Sequence, residues 1–401
     1  MISGEDVARL ARTGPTMTLL SPQDMTEERL PEWALWSPSI PPYSVGLEEE
    51  LMLLDPSDFS LAQAGEQVLA ALPAQVAPQF AAETHEAAVE LATSPHASAG
   101  AASREAAALR ETLREVTERE GLRAAAAGTH PSALWSDVKV SGGARYQLVQ
   151  ESMRALARRE PTFALHVHVG VGDPDSAITL MNRMRAHIPL LLAVSANSPF
   201  WQGRDTGLAS ARTSIFGAFP RVGIPRAFSS YAEYVAVVDQ MLRCDAFPEP
   251  TFLWWDVRPQ PRLGTVEVRI MDVQSTAACS GALAGLVQAI AHLELEEGYH
   301  SDELLHAGEI LDENRFLAAR DGMDARLIDP VAECRLPATA QLRRLLERVR
   351  PHAQQLGCED GLAHVAEIAA DTGAEVQRRL AGRSGLRGLV ELLADGLAAG
   401  R

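Results

Sequence analysis

Residues 43–55 read Tyr-Ser-Val-Gly-Leu-Glu-Glu-Glu-Leu-Met-Leu-Leu-Asp. The flanks, Ser44-Val45 before and Leu51–Leu54 after, have the character of a buried β-strand, and Asp55-Pro56-Ser57 ends it. Three carboxylates stand in its middle. Side chains alternate across a strand, so Glu48 and Glu50 share one face and Glu49 takes the other. Two desolvated carboxylates on one face repel and are costly unless something positive lies between them. A hard divalent cation such as Mg²⁺ or Mn²⁺ supplies that charge and prefers carboxylate oxygens. The other explanation is an edge strand with solvated glutamates.

The same conflict recurs along the chain. Val89-Glu90-Leu91 puts a carboxylate in a short apolar strand. Leu165-His166-Val167-His168-Val169 places two histidines on one face and three aliphatic residues on the other. Val266-Glu267-Val268-Arg269-Ile270 pairs Glu267 with Arg269 on one face, and Trp255–Arg258 adds Asp256 and Arg258. Each alone has a bland reading as a satisfied core histidine or a cross-strand ion pair. Together they describe a sheet with one apolar face and one lined by Glu, His and Arg. That is the composition of a catalytic floor: carboxylates and imidazoles for metal ions, arginines for phosphate or a substrate carboxylate.

The 401 residues carry a formal net charge of −17, which argues against nucleic-acid binding through a broad basic face. The cysteines, 244, 279, 334 and 358, lie too far apart for a C-x-x-C motif and are expected to be free thiols in a cytoplasmic protein. The start of the chain lacks the pattern of a signal peptide. The two most apolar runs, 188–194 and 277–295, are expected to be buried core helices rather than membrane spans.

Residues 1–42 are rich in Pro, Ser and Thr and are expected to form an N-terminal extension with one short helix near Gly4–Thr13. A single catalytic domain is expected over 43–401, mostly helical after 276. Strands are predicted at 43–54, 87–93, 122–128, 162–171, 252–258 and 264–271. Helices are predicted at 100–120, 145–159, 175–196 (kinked near Pro189) and 231–243, with a long functional loop over 197–228. The fold class is therefore α+β, a largely antiparallel sheet backed by helices with a helical C-terminal part.

The motifs G-x-E-x-E (46–50), V-E-L-A-T (89–93), H-V-H-V-G (166–170), D-T-G-x-A-S-x-R (205–212), W-D-x-R-P (255–259) and G-T-x-E-x-R (264–269) occur in this order. Glu313-Asn-Arg315 and Ala318-Ala-Arg320 follow. The set resembles the carboxylate-amine ligase family related to glutamate–cysteine ligase, over roughly residues 43–330. The resemblance implies a glutamine-synthetase-like fold, whose curved sheet forms a funnel with ATP entering at one end and the acid and amine reaching the other. It implies ATP and two or three Mg²⁺ or Mn²⁺ ions as cofactors. It implies metal ligation by Glu48, Glu50, Glu90, His166 and Glu267, nucleotide contact by His168, and phosphate contact by Arg269. Arg212 and Arg258 become candidates for the substrate carboxylate or the transferring phosphoryl group. Two positions depart from the family's frequent aromatics, Leu208 and Ala211, which puts the identity of the acid or amine in doubt. Glu86 is a weaker candidate for an extra metal or pocket residue.

Such a site would phosphorylate a carboxylate with ATP and let an amine displace phosphate, giving an amide of the γ-glutamyl type from glutamate and cysteine or another amine. No nucleophilic Ser or Cys is needed, and no P-loop or G-x-G-x-x-G motif competes for the nucleotide. A phosphagen-type kinase of the same fold, or a non-catalytic relative that binds nucleotide or metal, remains an alternative. Partners are expected to be small molecules, with neither nucleic acid nor membrane, and the C-terminal helices could support a homodimer.

Overall fold

In the computed structural model, residues 30–37, 40–158 and 161–397 are described; the expected helix near Gly4–Thr13 lies outside them. The acidic strand forms as Val45–Leu54 (β1). It joins Phe80–Ala82 (β2), Ala88–Ala92 (β3), Arg123–Ala125 (β4), Ala164–Gly170 (β5), Val257–Gln260 (β6) and Thr265–Asp272 (β7). Their order is β6-β7-β5-β1-β3-β2, with β4 also on β1, and every pair is antiparallel. β1 thus lies inside the sheet, which removes the edge-strand explanation for its glutamates.

The apolar face is covered by helices. The stripe Ala102, Ala106, Leu109, Leu113 and Val116 of the Ala99–Arg119 helix is buried. The Ala277–Glu296 helix is long and apolar enough to cross a membrane by composition, yet it lies inside the fold, packed on Ala99–Arg119, Ala338–Leu356 and Glu359–Ala370. The expected core helix is therefore correct.

Glu49, on the helix-covered side of β1, is fully buried. Arg110 reaches it from the Ala99–Arg119 helix with Nε 2.7 Å and Nη2 2.5 Å from its two oxygens. The same guanidinium donates to the carbonyls of Gln274 and Ser275 beyond β7. One bidentate pair therefore ties helix, central strand and the end of β7.

Several expectations need correction. Residues 175–196 are not one kinked helix: Pro174–Met184 ends in a 3₁₀ turn, Arg185–His187, and Ile188–Ser195 begins anew. Pro189, lacking an N–H and crowding the preceding turn, is tolerated only at the start of the new helix. The 197–228 loop holds a tiny hairpin, Phe200–Trp201 with Arg204–Asp205, and a helix, Ala211–Phe216, capped by the Ser210 side chain. The helix expected at 145–159 runs Ala144–Met153 and passes into a 3₁₀ turn. After residue 276 a hairpin, Arg326–Asp329 with Cys334–Pro337, interrupts the helices. A short helix, Gly65–Ala71, and strand β2 carry too little periodicity to be read from sequence.

Arg110→Ala leaves Glu49 charged and unpaired inside the protein, so unfolding free energy should drop by about 3–5 kcal/mol. Replacing both residues with leucine should recover most of that loss. Denaturant midpoints of the two variants test this, and equal loss in both would refute it.

Candidate active site

The register of the sheet assembles the polar face. Glu48 on β1 lies opposite His166 on β5, and Glu50 lies opposite Glu90 on β3. Glu267 on β7 faces His168 on one side and Arg258 of β6 on the other. A β-bulge interrupts the β7–β5 ladder between Val268 and Met271, so Arg269 and Ile270 together stand opposite His166. Bulges re-aim side chains, and this one lets Arg269 reach both Glu267 and His166.

His166 is at the centre. Its Nδ1 lies 3.1 Å from Glu48 and 3.7 Å from Glu267, and its Nε2 lies 3.7 Å from Glu50. One ring thus faces two acidic sets, Glu48 with Glu267 and Glu50 with Glu90, and ligand atoms of each set lie close enough to share an ion. Burial and the Arg269 guanidinium hold the imidazole down at about 4, hence neutral at pH 7. A neutral imidazole has one lone pair, so it can be a ligand toward one set and a donor toward the other. Its Nε2 is buried with no hydrogen-bond partner.

The carboxylates divide by their neighbours. Burial opposes ionisation of Glu48, but His168 and His166 beside it outweigh that and hold it well below the usual carboxylate range. Burial opposes Glu267 too, and Arg258 and Arg269 outweigh it. Glu50 has no such compensation: burial and the charge of Glu83 push it up to about 7 against the pull of Arg212 and Arg269. Glu90 is pushed well above the usual range by burial and by Glu48, Glu83 and Glu50. The second acidic set is therefore short of positive charge within the protein itself.

The arginines differ in what they have left to offer. Arg258 is buried, with Nε 2.7 Å from Glu267 and Nη1 donating to the carbonyls of Thr251 and Leu253, so most of its donors hold Glu267 in place. Gln260 donates to the same carboxylate at 2.7 Å. Arg212 spends both Nη groups on the carbonyls of Ile270 and Arg269, and its buried Nε has no partner. Arg269 likewise keeps a buried, unpartnered Nε. Arg212, Arg269 and Arg315 line one small pocket with Phe216 and Trp254.

The structure thus brings Glu48, Glu50, Glu90, His166, His168, Glu267, Arg269, Arg258 and Arg212 to one region. Glu86 is not among the acidic groups that meet there; its backbone pairs with Lys139 and Gly65 instead. Glu83, which the sequence did not mark, is close enough for its charge to raise Glu50 and Glu90. It follows directly after β2, whose Ala81 pairs with Glu90. Asp272 was also missed: buried, it accepts from Asn197 N and from the hydroxyls of Ser198 and Ser210, fixing the loop that carries Arg212. Leu208 and Ala211 line a groove of about 630 Å³ with Trp135, Trp201 and Ile215.

The chain is similar to known proteins in sequence and in fold. The model of "Glutamate-cysteine ligase family 2(GCS2)" matches residues 44–395. Two Rubrobacter xylanophilus proteins are similar throughout. The one named "Putative glutamate–cysteine ligase 2-1" is 41% identical over 350 residues, 86% of this chain and 91% of the relative. The one named "Putative glutamate–cysteine ligase 2-3" is 40% identical over 362 residues, 89% of this chain and 98% of the relative. Among solved structures, the glutamate–cysteine ligase of Francisella tularensis in complex with AMP superposes with TM-score 0.65 at 13% identity, over 90% of this chain and 89% of that one. The bifunctional glutathione synthetase of Pasteurella multocida gives 0.68 at 14% identity, over 89% of this chain and 52% of that one. At such identities the solved structures establish the fold, and the sequence relatives establish the kinship: the chain belongs to glutamate–cysteine ligase family 2, a family of carboxylate-amine ligases.

Proposed function

We propose that the protein uses ATP to join an amino-acid carboxylate to an amine through an acyl phosphate, with glutamate as the acid and cysteine or another amine as the nucleophile. The observation that carries this reading is the pair of acidic sets flanking His166 beside two arginines with unspent buried donors. The Francisella tularensis ligase, which shares the fold, is in complex with AMP, which supports the use of a nucleotide.

The residues present fit divalent cations. The crowding that pushes Glu50 and Glu90 up is what a bound cation would relieve, and with His166 Nδ1 as a ligand its Nε2, 3.7 Å from Glu50, carries the proton. Glu48, His166 and Glu267 would hold one Mg²⁺ or Mn²⁺, and Glu50 and Glu90 another. Such ions neutralise the charge on phosphate oxygens during phosphoryl transfer.

The chain's own groups do the rest. Arg269 and Arg212 direct their free Nε–H groups at an oxyanion, the transferring phosphoryl group or the substrate carboxylate. Arg258 and Gln260 keep Glu267 in one orientation, so no reorganisation is needed during reaction. His168 stands at the nucleotide side, its Nδ1 hydrogen-bonded to Thr265 and its Nε2 3.1 Å from Glu48. The acid's carboxylate attacks the γ-phosphorus and ADP leaves; the amine, giving up its protons to solvent or to the departing phosphate, attacks the acyl carbon and phosphate leaves.

With Mg·ATP, phosphate should be released in step with amide only when L-glutamate and an amine such as cysteine are both present. ADP formed without free phosphate would indicate a kinase instead, and phosphate release with another acid would replace the substrate. Glu48→Gln and Glu267→Gln should each lower turnover at least about 100-fold while circular dichroism stays native; ordinary turnover in either removes that residue's role. Glu50 must lose its proton to bind a cation, so Mn²⁺ affinity should climb as pH rises through about 7, with proton release on binding. Titration calorimetry in buffers of different ionisation enthalpy reads both, and affinity that is flat from pH 6 to 8 would contradict this assignment.

A further inference from the structure

We infer that the segment before β1 closes the base end of the nucleotide site, with Ile40 forming one wall of the slot for the purine ring. This rests on the ATP-dependent reading above and adds to it a residue that precedes the stretch matched by the family.

A cavity of about 260 Å³ borders the catalytic floor. Ile40, Gly46, Pro95 and Leu263 line its apolar part, and Glu48 and His168 stand at its polar end. Gly46 lies directly opposite His168 in the β1–β5 ladder. A Cβ on Gly46 would find only Thr93, at 4.0 Å, so the glycine opens space beside the two polar residues. A nucleotide with its phosphates on the floor needs an apolar slot for its base within one nucleotide length. This cavity is apolar where the base would lie and polar where the ribose and phosphates would begin.

The wall carrying Ile40 is fastened at many points. Trp36 Nε1 donates to the Val171 carbonyl, Ser37 N to the Pro261 carbonyl, and Tyr231 Oη to the Ala34 carbonyl. Trp33 and Trp36 pack edge-on against Tyr234 and Tyr231. The segment turns into β1 at Tyr43, whose φ of +62° is costly for an aromatic residue. That conformation is held on three sides: Tyr43 N donates to Gly170 O, Gln288 donates to the Tyr43 carbonyl, and the Tyr43 hydroxyl donates to Glu296.

Two motif glycines make room for the segment. A Cβ on Gly170, which ends H-V-H-V-G, would lie 2.6 Å from the Pro41 carbonyl oxygen. Gly264, which opens G-T-x-E-x-R, has φ +64°, and a Cβ there would collide with the Ser37 carbonyl. The two glycines let Pro41 and Ser37 lie close over the ends of β5 and β7, on either side of Ile40 in the chain.

The test is direct binding of AMP and of Mg·ATP to the full chain, by calorimetry, together with steady-state kinetics. Ile40→Ala should weaken both nucleotides roughly tenfold, raise the KM for ATP in step, and reduce the preference for ATP over CTP. Leu263→Ala, on another wall, should act the same way. A residue serving only stability would leave the ATP-to-CTP preference intact. Nucleotide binding by the wild type with unaltered affinity and preference in Ile40→Ala would overturn the assignment. Absence of binding by the wild type would overturn it together with the ATP-dependent reading.

Discussion

Burial of β1 at the centre of the sheet is the constraint on which the site depends. Its three consecutive carboxylates are taken out of water, and each receives a different answer. Glu49 turns toward the helices and is neutralised by Arg110 in a bidentate pair. Glu48 turns to the open face and is compensated by His166 and His168. Glu50 meets Glu90, and burial together with the charge of Glu83 outweighs the pull of Arg212 and Arg269, so it is raised to about 7. A single run of sequence thus contains a structural ion pair, a positioned carboxylate and a vacant charge requirement. The divalent cations proposed above would answer the last of these.

The arginines follow the same logic of spent and unspent capacity. Arg258 lies deep in the sheet with its donors committed to Glu267 and two carbonyls, and it serves the site by holding Glu267. Arg269 and Arg212 also make fixed contacts, yet each keeps a buried Nε–H without a partner. A buried donor left unmet is unfavourable in the free protein, and in the proposed function an oxyanion would meet it. The bulge in β7 aims Arg269 at Glu267 and His166, and the Asp272 network anchors the loop of Arg212.

Kinship and chemistry converge without being the same. The relatives establish the ligase family, and the geometry explains how such a face could activate a carboxylate. The groove lined by Leu208, Ala211, Trp135, Trp201 and Ile215 sits on the helix that bears Arg212, where this chain departs from the aromatic residues frequent in its family.

Alternation alone determined much of this. Once 43–55, 162–171 and 264–271 are strands, the period of two places Glu48 with Glu50, His166 with His168, and Glu267 with Arg269. Strand neighbours are another matter. That Glu50 meets Glu90, that one imidazole faces both acidic sets, and that the charge of Glu83 reaches Glu50 and Glu90 depend on how segments far apart in the chain come together. Nothing local marks Arg110 as the partner of Glu49, 61 residues away. Nothing local separates Arg258, whose donors are used, from Arg212, whose Nε is free. Side-chain period is a property of the backbone and is written in the sequence; pairing, burial and the balance of charge arise only when distant segments exclude water together.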